Sequence, residues 1–181
     1  MAVRADLFES PDYLQLDELL NEEQRMVRKA VRDFVKKEIS PIIEDYAQRA
    51  AFPVQIVKQL GALGCFGPTI PTEYGGGGLD YISYGIMMQE LERGDSGVRS
   101  MASVQGSLVM YPIFAYGDEA QKKKYLPKMA SGEWIGCFCL SEPNARSDAG
   151  SLTTFAEDKG DHWEINGVKN WITNGKEASV C

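Results

Sequence analysis

The chain has 181 residues, 44% hydrophobic and 25% charged, enough for one ordinary domain or two small ones with a real core. Its formal net charge of -7, with Lys122-Lys123-Lys124 as the only basic cluster, argues against nucleic acid or an anionic membrane surface as a partner. Nothing in it approaches the roughly 18 consecutive apolar residues that a membrane span needs.

The opening stretch MAVRADLFESPDYLQLDELL is acidic. It lacks the apolar region of a signal peptide and the Arg-rich look of a transit peptide, so a cytoplasmic location is expected. Asn21 then caps EEQRMVRKAVRDFVKKEIS, whose Met26, Val27, Ala30, Val31, Phe34, Val35 and Ile39 keep helical spacing. Pro41 interrupts it, with helix resuming through IIEDYAQ. Pro53 begins a shorter helix that points Val54, Ile56, Val57, Leu60 and Leu63 inward and stops at Gly64. The Gly/Pro-rich stretch GPTIPTEYGGGGLD follows. Its four glycines, with helices on both sides and no preceding strand, read as a flexible connector rather than a phosphate cradle.

Asp80 starts a third helix, YISYGIMMQELER, and Asp95 a fourth. Asp118 caps a fifth, EAQKKKYLPKMASG, which Pro127 should end or kink. After Gly132 the texture changes. WIGCFCLS is β-like, SLTTFAE alternates, and HWEI and VKNWIT flank Asn166-Gly167, a strong hairpin signal. On a strand, Trp171 and Thr173 would share one face, with Ile172 on the other. GKEASVC reads as one more strand that stops early. The expected fold class is α+β: a helical domain over 1–131, then a β-region over 132–181 too short to bury both sheet faces alone. The sequence therefore reads as cut short.

Four cysteines are present: Cys65, Cys137, Cys139 and Cys181. Cys137 and Cys139 would point to the same side of a strand, badly placed for a disulfide, and reduced, buried thiols are expected. With one histidine, His162, and no CxxC, no metal site is expected.

Two stretches carry candidate chemistry. In CFCLSEPNARSDAGS a strand ends in a loop rich in hydroxyls and backbone N–H groups, suited to an anionic or amide-rich ligand. A polar turn satisfying its own backbone is an equal reading, and Glu142 with Asp148 is a weaker acid/base candidate. In DSGVRSMASVQGSLVMYPIFAY, Arg99 stands in the first turn of an otherwise apolar helix, with Ser100, Ser103 and Ser107 following. Spacing alone reads Arg99 as an i,i+4 partner of Asp95.

ELERGDSGVRSMASVQGSLVMYPIFAYGDEAQKKKYLPKMASGEWIGCFCLSEPNARSDAGS, followed by NGVKNWITN, resembles the acyl-CoA dehydrogenases over residues 15–181. The E-P-x-x-x-S-D loop and the later W-I-T-N carry the family likeness. DSGVRS with SVQGSLVM and YPIFAYG is similar to the glutaryl-CoA subgroup. The resemblance implies a helical N-terminal domain, a middle antiparallel β-domain and a C-terminal four-helix domain, the last not within this sequence. It implies an FAD enzyme, usually a homotetramer, that oxidises an acyl-CoA, glutaryl-CoA in this subgroup with loss of carbon dioxide, and passes electrons to electron-transfer flavoprotein.

Carried over by position, the flavin would meet Phe138, Cys139, Leu140, Ser141, Glu142, Pro143, Asn144, Ala145, Arg146 and Ser147, with Trp171, Ile172 and Thr173 from the other side. Arg99, Ser100, Ser103 and Ser147 would contact substrate, the guanidinium forking a distal carboxylate. The family's catalytic Glu has no counterpart here, so no catalytic residue is assigned. Two departures stand out. Ser141 replaces the more usual Thr, and Arg146 stands where Gly is usual, at a cost of about 1–2 kcal/mol if that position needs positive φ.

Overall fold

The computed structural model describes residues 12–181, so the first eleven residues of the acidic N-terminal stretch lie outside the described residues. Asn21 accepts from Gln24 N while the Gln24 side chain accepts from Asn21 N, a reciprocal cap that starts α1 (Glu22–Phe34). A π-helical turn, Val35–Ile39, extends α1, and its Val35 and Ile39 join Val31 in the core. Met26, by contrast, is exposed. Pro41 breaks the rod before α2 (Ile43–Gln48), and α3 (Ile56–Ala62) follows. Gly64 takes φ 80° after α3, the left-handed stop expected of it. Val54 lies outside α3 and is exposed rather than inward.

The glycine run is a fastened loop, not a flexible connector. Gly77 N donates to Gly67 O, Gly78 N to Ile70 O and Leu79 N to Pro68 O, at 2.8–3.2 Å. A Cβ on Gly76 would stand 2.1 Å from Ile70 O, so the close backbone approach requires glycine there. Asp80 caps α4 (Tyr81–Gly94) by accepting from Ser83 N, and also accepts from Gln24 Nε2 at 2.7 Å, tying α4 to α1.

Asp95 caps α5 (Ser96–Ser103), which runs on through a π-helical stretch, Val104–Met110, into α6 (Tyr111–Tyr116). Asp118 and Gln121 form a second reciprocal cap at the start of α7 (Glu119–Ala130). Pro127 does not end α7. It sits on the exposed side, where water can take the carbonyl its missing N–H leaves free. α1 packs on α4, α4 on α5, and α6 on α7, around Leu60, Phe66, Ile70, Leu91, Met110, Leu126 and Met129.

Of the buried polar side chains of this helical body, two tie separate elements together from full burial. Glu90 of α4 is fully buried and takes Arg32 of α1 through two bonds, Nε at 2.8 Å and Nη2 at 2.7 Å. Gln105, also fully buried, donates to Met129 O and Trp134 O and accepts from Gly136 N, using both N–H donors and its carbonyl oxygen. It thereby seats the first residues of the β-region on the helical body.

In that β-region β1 (Phe155–Asp158) pairs antiparallel with β2 (Trp163–Asn166), Ala156 opposite Ile165. The hairpin turns at 159–162, not at Asn166-Gly167. Asp158 accepts from Gly160 N, and Gly160 takes φ 93°, so this turn supplies the left-handed residue. Residues 171–173 form no strand: Trp171 has φ 57° and a run of turns follows. Neither the β-like run WIGCFCLS nor the last residues form a strand: they meet only in an isolated parallel bridge of Gly136 with Val180. Among the described residues no helix is long and apolar enough to cross a membrane.

Candidate functional site

The two β-region segments singled out by sequence lie together. Asn170 N donates to Ser141 O at 3.0 Å, and Lys169 Nζ reaches Leu140 O and Glu142 Oε1. Glu142 N and Ala145 O, with Ala145 N and Glu142 O, close a tight turn over Pro143-Asn144. The Glu142 carboxylate is buried and accepts from Thr153 N, Thr153 Oγ1 and Thr154 N at 2.7–2.9 Å. Hydrogen bonding from Thr154, then from Thr153 and Lys169, holds it well below the usual carboxylate range. Glu142 is thus an ionised staple, and Asp148 is engaged by Ser151, so the two are no acid/base pair. Arg146 is not among the positive-φ residues, so the strain entertained for it does not arise. Its guanidinium lies 5.9 Å from the centre of the Trp171 ring.

What the paired segments present outward is apolar. Phe138, Leu140 and Trp171 are 46%, 38% and 77% exposed, and the same segments carry Ser141 and the exposed Ser147. Asn170 Oδ1 is buried there with no partner, an acceptor short of a donor. Large apolar side chains left open beside hydroxyls and an unpaired acceptor fit a planar ring system with a polar edge. Ile172 and Thr173 turn away from Trp171 into a cavity of about 530 Å³, with Phe52, Gly97 and Met101 on other walls. This reverses the expected pairing of Trp171 with Thr173, because the chain turns at Trp171 rather than alternating as a strand. Asn174 Nδ2 donates to Gly136 O and Met101 O, fixing that loop on α5.

The second candidate group sits elsewhere on α5. Asp95 is occupied as a cap, accepting from Val98 N, and does not pair with Arg99. Arg99 Nε instead donates to Glu92 in the last turns of α4, and Ser96 Oγ donates to the other oxygen of that carboxylate. The Arg99 hydrogen bond, then that of Ser96, holds Glu92 below the usual carboxylate range. The two Nη groups of Arg99 have no partner among the described residues. Ser103 Oγ bonds back to Ser100 O within the helix. Gly97 and Met101, four apart, face the cavity, while Arg99 lies two residues from each and so on the other side of α5. The structure therefore does not bring Arg99 and Ser103 into the cavity that Ile172 and Thr173 line.

Sequence reasoning did not single out Glu92, Gln105, Lys169 or Asn170. Gln105 had one legible signal, an amide inside the apolar run SVQGSLVM.

Compared with known proteins, residues 21–133 match the family model for the acyl-CoA dehydrogenase N-terminal domain, and residues 137–181 that for its middle domain. The chain is 42% identical over 168 residues to glutaryl-CoA dehydrogenase of Desulfococcus multivorans, covering 91% of this chain and 43% of that protein. It is 43% identical over 162 residues to the mitochondrial short-chain specific acyl-CoA dehydrogenase of Homo sapiens, covering 90% and 39%. Among solved structures it superposes with a TM-score of 0.88 on a glutaryl-CoA dehydrogenase from Mycobacterium smegmatis in complex with FADH2. That match is 42% identical and covers 91% of this chain and 42% of the other. The chain thus spans about two-fifths of the length of these relatives.

Proposed function

This chain belongs to the acyl-CoA dehydrogenase family, and on that premise we propose that it forms part of an FAD enzyme that oxidises glutaryl-CoA, with decarboxylation, in preference to a plain short-chain acyl-CoA. FAD, when bound, supplies the acceptor for the hydride leaving the acyl β-carbon. Phe138, Leu140 and Trp171 would cover its ring system, and the Ser141 and Ser147 hydroxyls and Asn170 Oδ1 offer hydrogen bonds to its polar edge. Neither Glu142, buried and saturated, nor Glu92, held by Arg99 and Ser96, is available to take the α-proton. We therefore assign neither of them as the catalytic base.

One observation carries the choice of substrate: the guanidinium of Arg99, anchored through Nε, with both Nη groups open. Fixing Nε removes rotamer freedom, so an arriving carboxylate meets a preset two-donor fork. Such a charge-assisted bond contributes about 1.5–3 kcal/mol, or roughly ten- to a hundredfold in selectivity. A second reading also has an observation behind it. The Arg99–Glu92 pair bridges α4 and α5, and a purely structural Arg99 would leave a simpler short-chain acyl-CoA as substrate.

The two readings separate on Arg99→Lys in the FAD-loaded enzyme. We expect kcat/KM for glutaryl-CoA to fall about ten- to a hundredfold, with butyryl-CoA little changed. Equal losses on both substrates would support the structural reading.

A further inference from the structure

The sequence offers no metal motif, yet the fold gathers three of the four cysteines. Cys139 Sγ lies 3.0 Å from Cys181 Sγ and 3.7 Å from Cys137 Sγ, and all three sulfurs fall within 4.8 Å of one another. Among the described residues no other group of metal-ligating side chains is this close. We propose that Cys137, Cys139 and Cys181 form a three-thiolate site for a soft, thiophilic cation of the monovalent-copper class.

The geometry suits such an ion. Three thiolates around a metal with bonds of about 2.3 Å stand about 4 Å apart, so the observed sulfurs need shift by about 1 Å or less. The scaffold holds them in register. Cys137 N donates to Val180 O, and Ser179 N and Val180 N donate to Ile135 O, zipping the two cysteine-bearing segments together. Gly136 N is pinned in turn by the buried Gln105. The donor set selects the metal. Soft sulfur favours monovalent copper and zinc, but zinc in closed sites takes four ligands, and no fourth joins this group. The single histidine, His162, sits at the hairpin turn against Asp161.

An entry path exists as well. Cys137 is buried, Cys139 half-buried and Cys181 exposed, so the group spans interior to surface. Cys137 and Cys181 also line a cavity of about 440 Å³, whose walls include Leu108, Tyr116 and Tyr125.

The test is a titration of the reduced, metal-free full-length protein with monovalent copper under argon, against a coloured copper(I) chelator. We expect the protein to withdraw one equivalent, with thiolate–metal absorption in the ultraviolet. Cys139→Ser and Cys181→Ser should each weaken retention at least tenfold at unchanged far-ultraviolet circular dichroism, and Cys65→Ala should leave it unchanged. Three results would overturn the proposal: wild-type retention no stronger than that of the Cys139→Ser/Cys181→Ser double variant, zinc held in preference to copper, or two thiols lost to an intrachain disulfide, seen by mass, with no metal bound.

Discussion

A carboxylate in a polar loop can serve chemistry or architecture, and its partners decide which. Glu142 accepts from Thr153, Thr154 and Lys169 and has no lone pair left to offer a substrate. Because its folded pKa is depressed, its stabilising contribution is present above the ordinary carboxylate value of about 4.3 and is lost as pH falls through the lower folded value. Acid unfolding followed by intrinsic fluorescence should therefore begin at higher pH in Glu142→Gln, with a smaller acid-dependent loss below pH 4 than in wild type. Identical acid transitions in the two proteins would remove the staple role. Arg99 makes the complementary point about what a sequence displays. Its oddity in an apolar helix was legible, but its partner was sought four residues away in the same helix. Asp95 was already committed to capping, so the charge reached seven residues back, across the break between α4 and α5, to Glu92.

Elements were legible where their signals are local. The caps at Asn21, Asp80, Asp95 and Asp118 act on backbone N–H groups three residues on, and all four form as the sequence indicates. Signals that depend on distant packing misled. Asn166-Gly167 looks like a hairpin turn, yet the strands meet around Gly160, where Asp158 caps the turn from its own side chain. The glycine run looks flexible because the hydrogen bonds of Gly77, Gly78 and Leu79 go to residues 67–70, eight to eleven positions away. Gly76→Ala should accordingly cost about 1–3 kcal/mol, since its Cβ would press on the Ile70 carbonyl, which cannot swing aside as a side chain would. A loss under about 0.5 kcal/mol in urea unfolding would mean that the loop yields. Gln105→Leu removes the partner of two carbonyls and one N–H at once and should destabilise by about 2–4 kcal/mol. Glu90→Ala removes the fully buried carboxylate that Arg32 holds through two bonds and should cost about 1–3 kcal/mol by the same measurement.

At the scale of the molecule, the division into a helical body and a β-region was readable from the change of texture after Gly132. The helical body carries most of the buried apolar residues, while β1 and β2 expose every residue. Which residues would hold flavin was legible only through resemblance, because apolar side chains on an open surface look like core residues in a linear sequence. The most direct measurement of the account is anaerobic titration of the purified FAD enzyme while its flavin absorbance is followed. The account predicts bleaching by glutaryl-CoA at concentrations about ten- to a hundredfold below those butyryl-CoA requires. An enzyme with no flavin absorbance, or one that butyryl-CoA bleaches as readily, would contradict it.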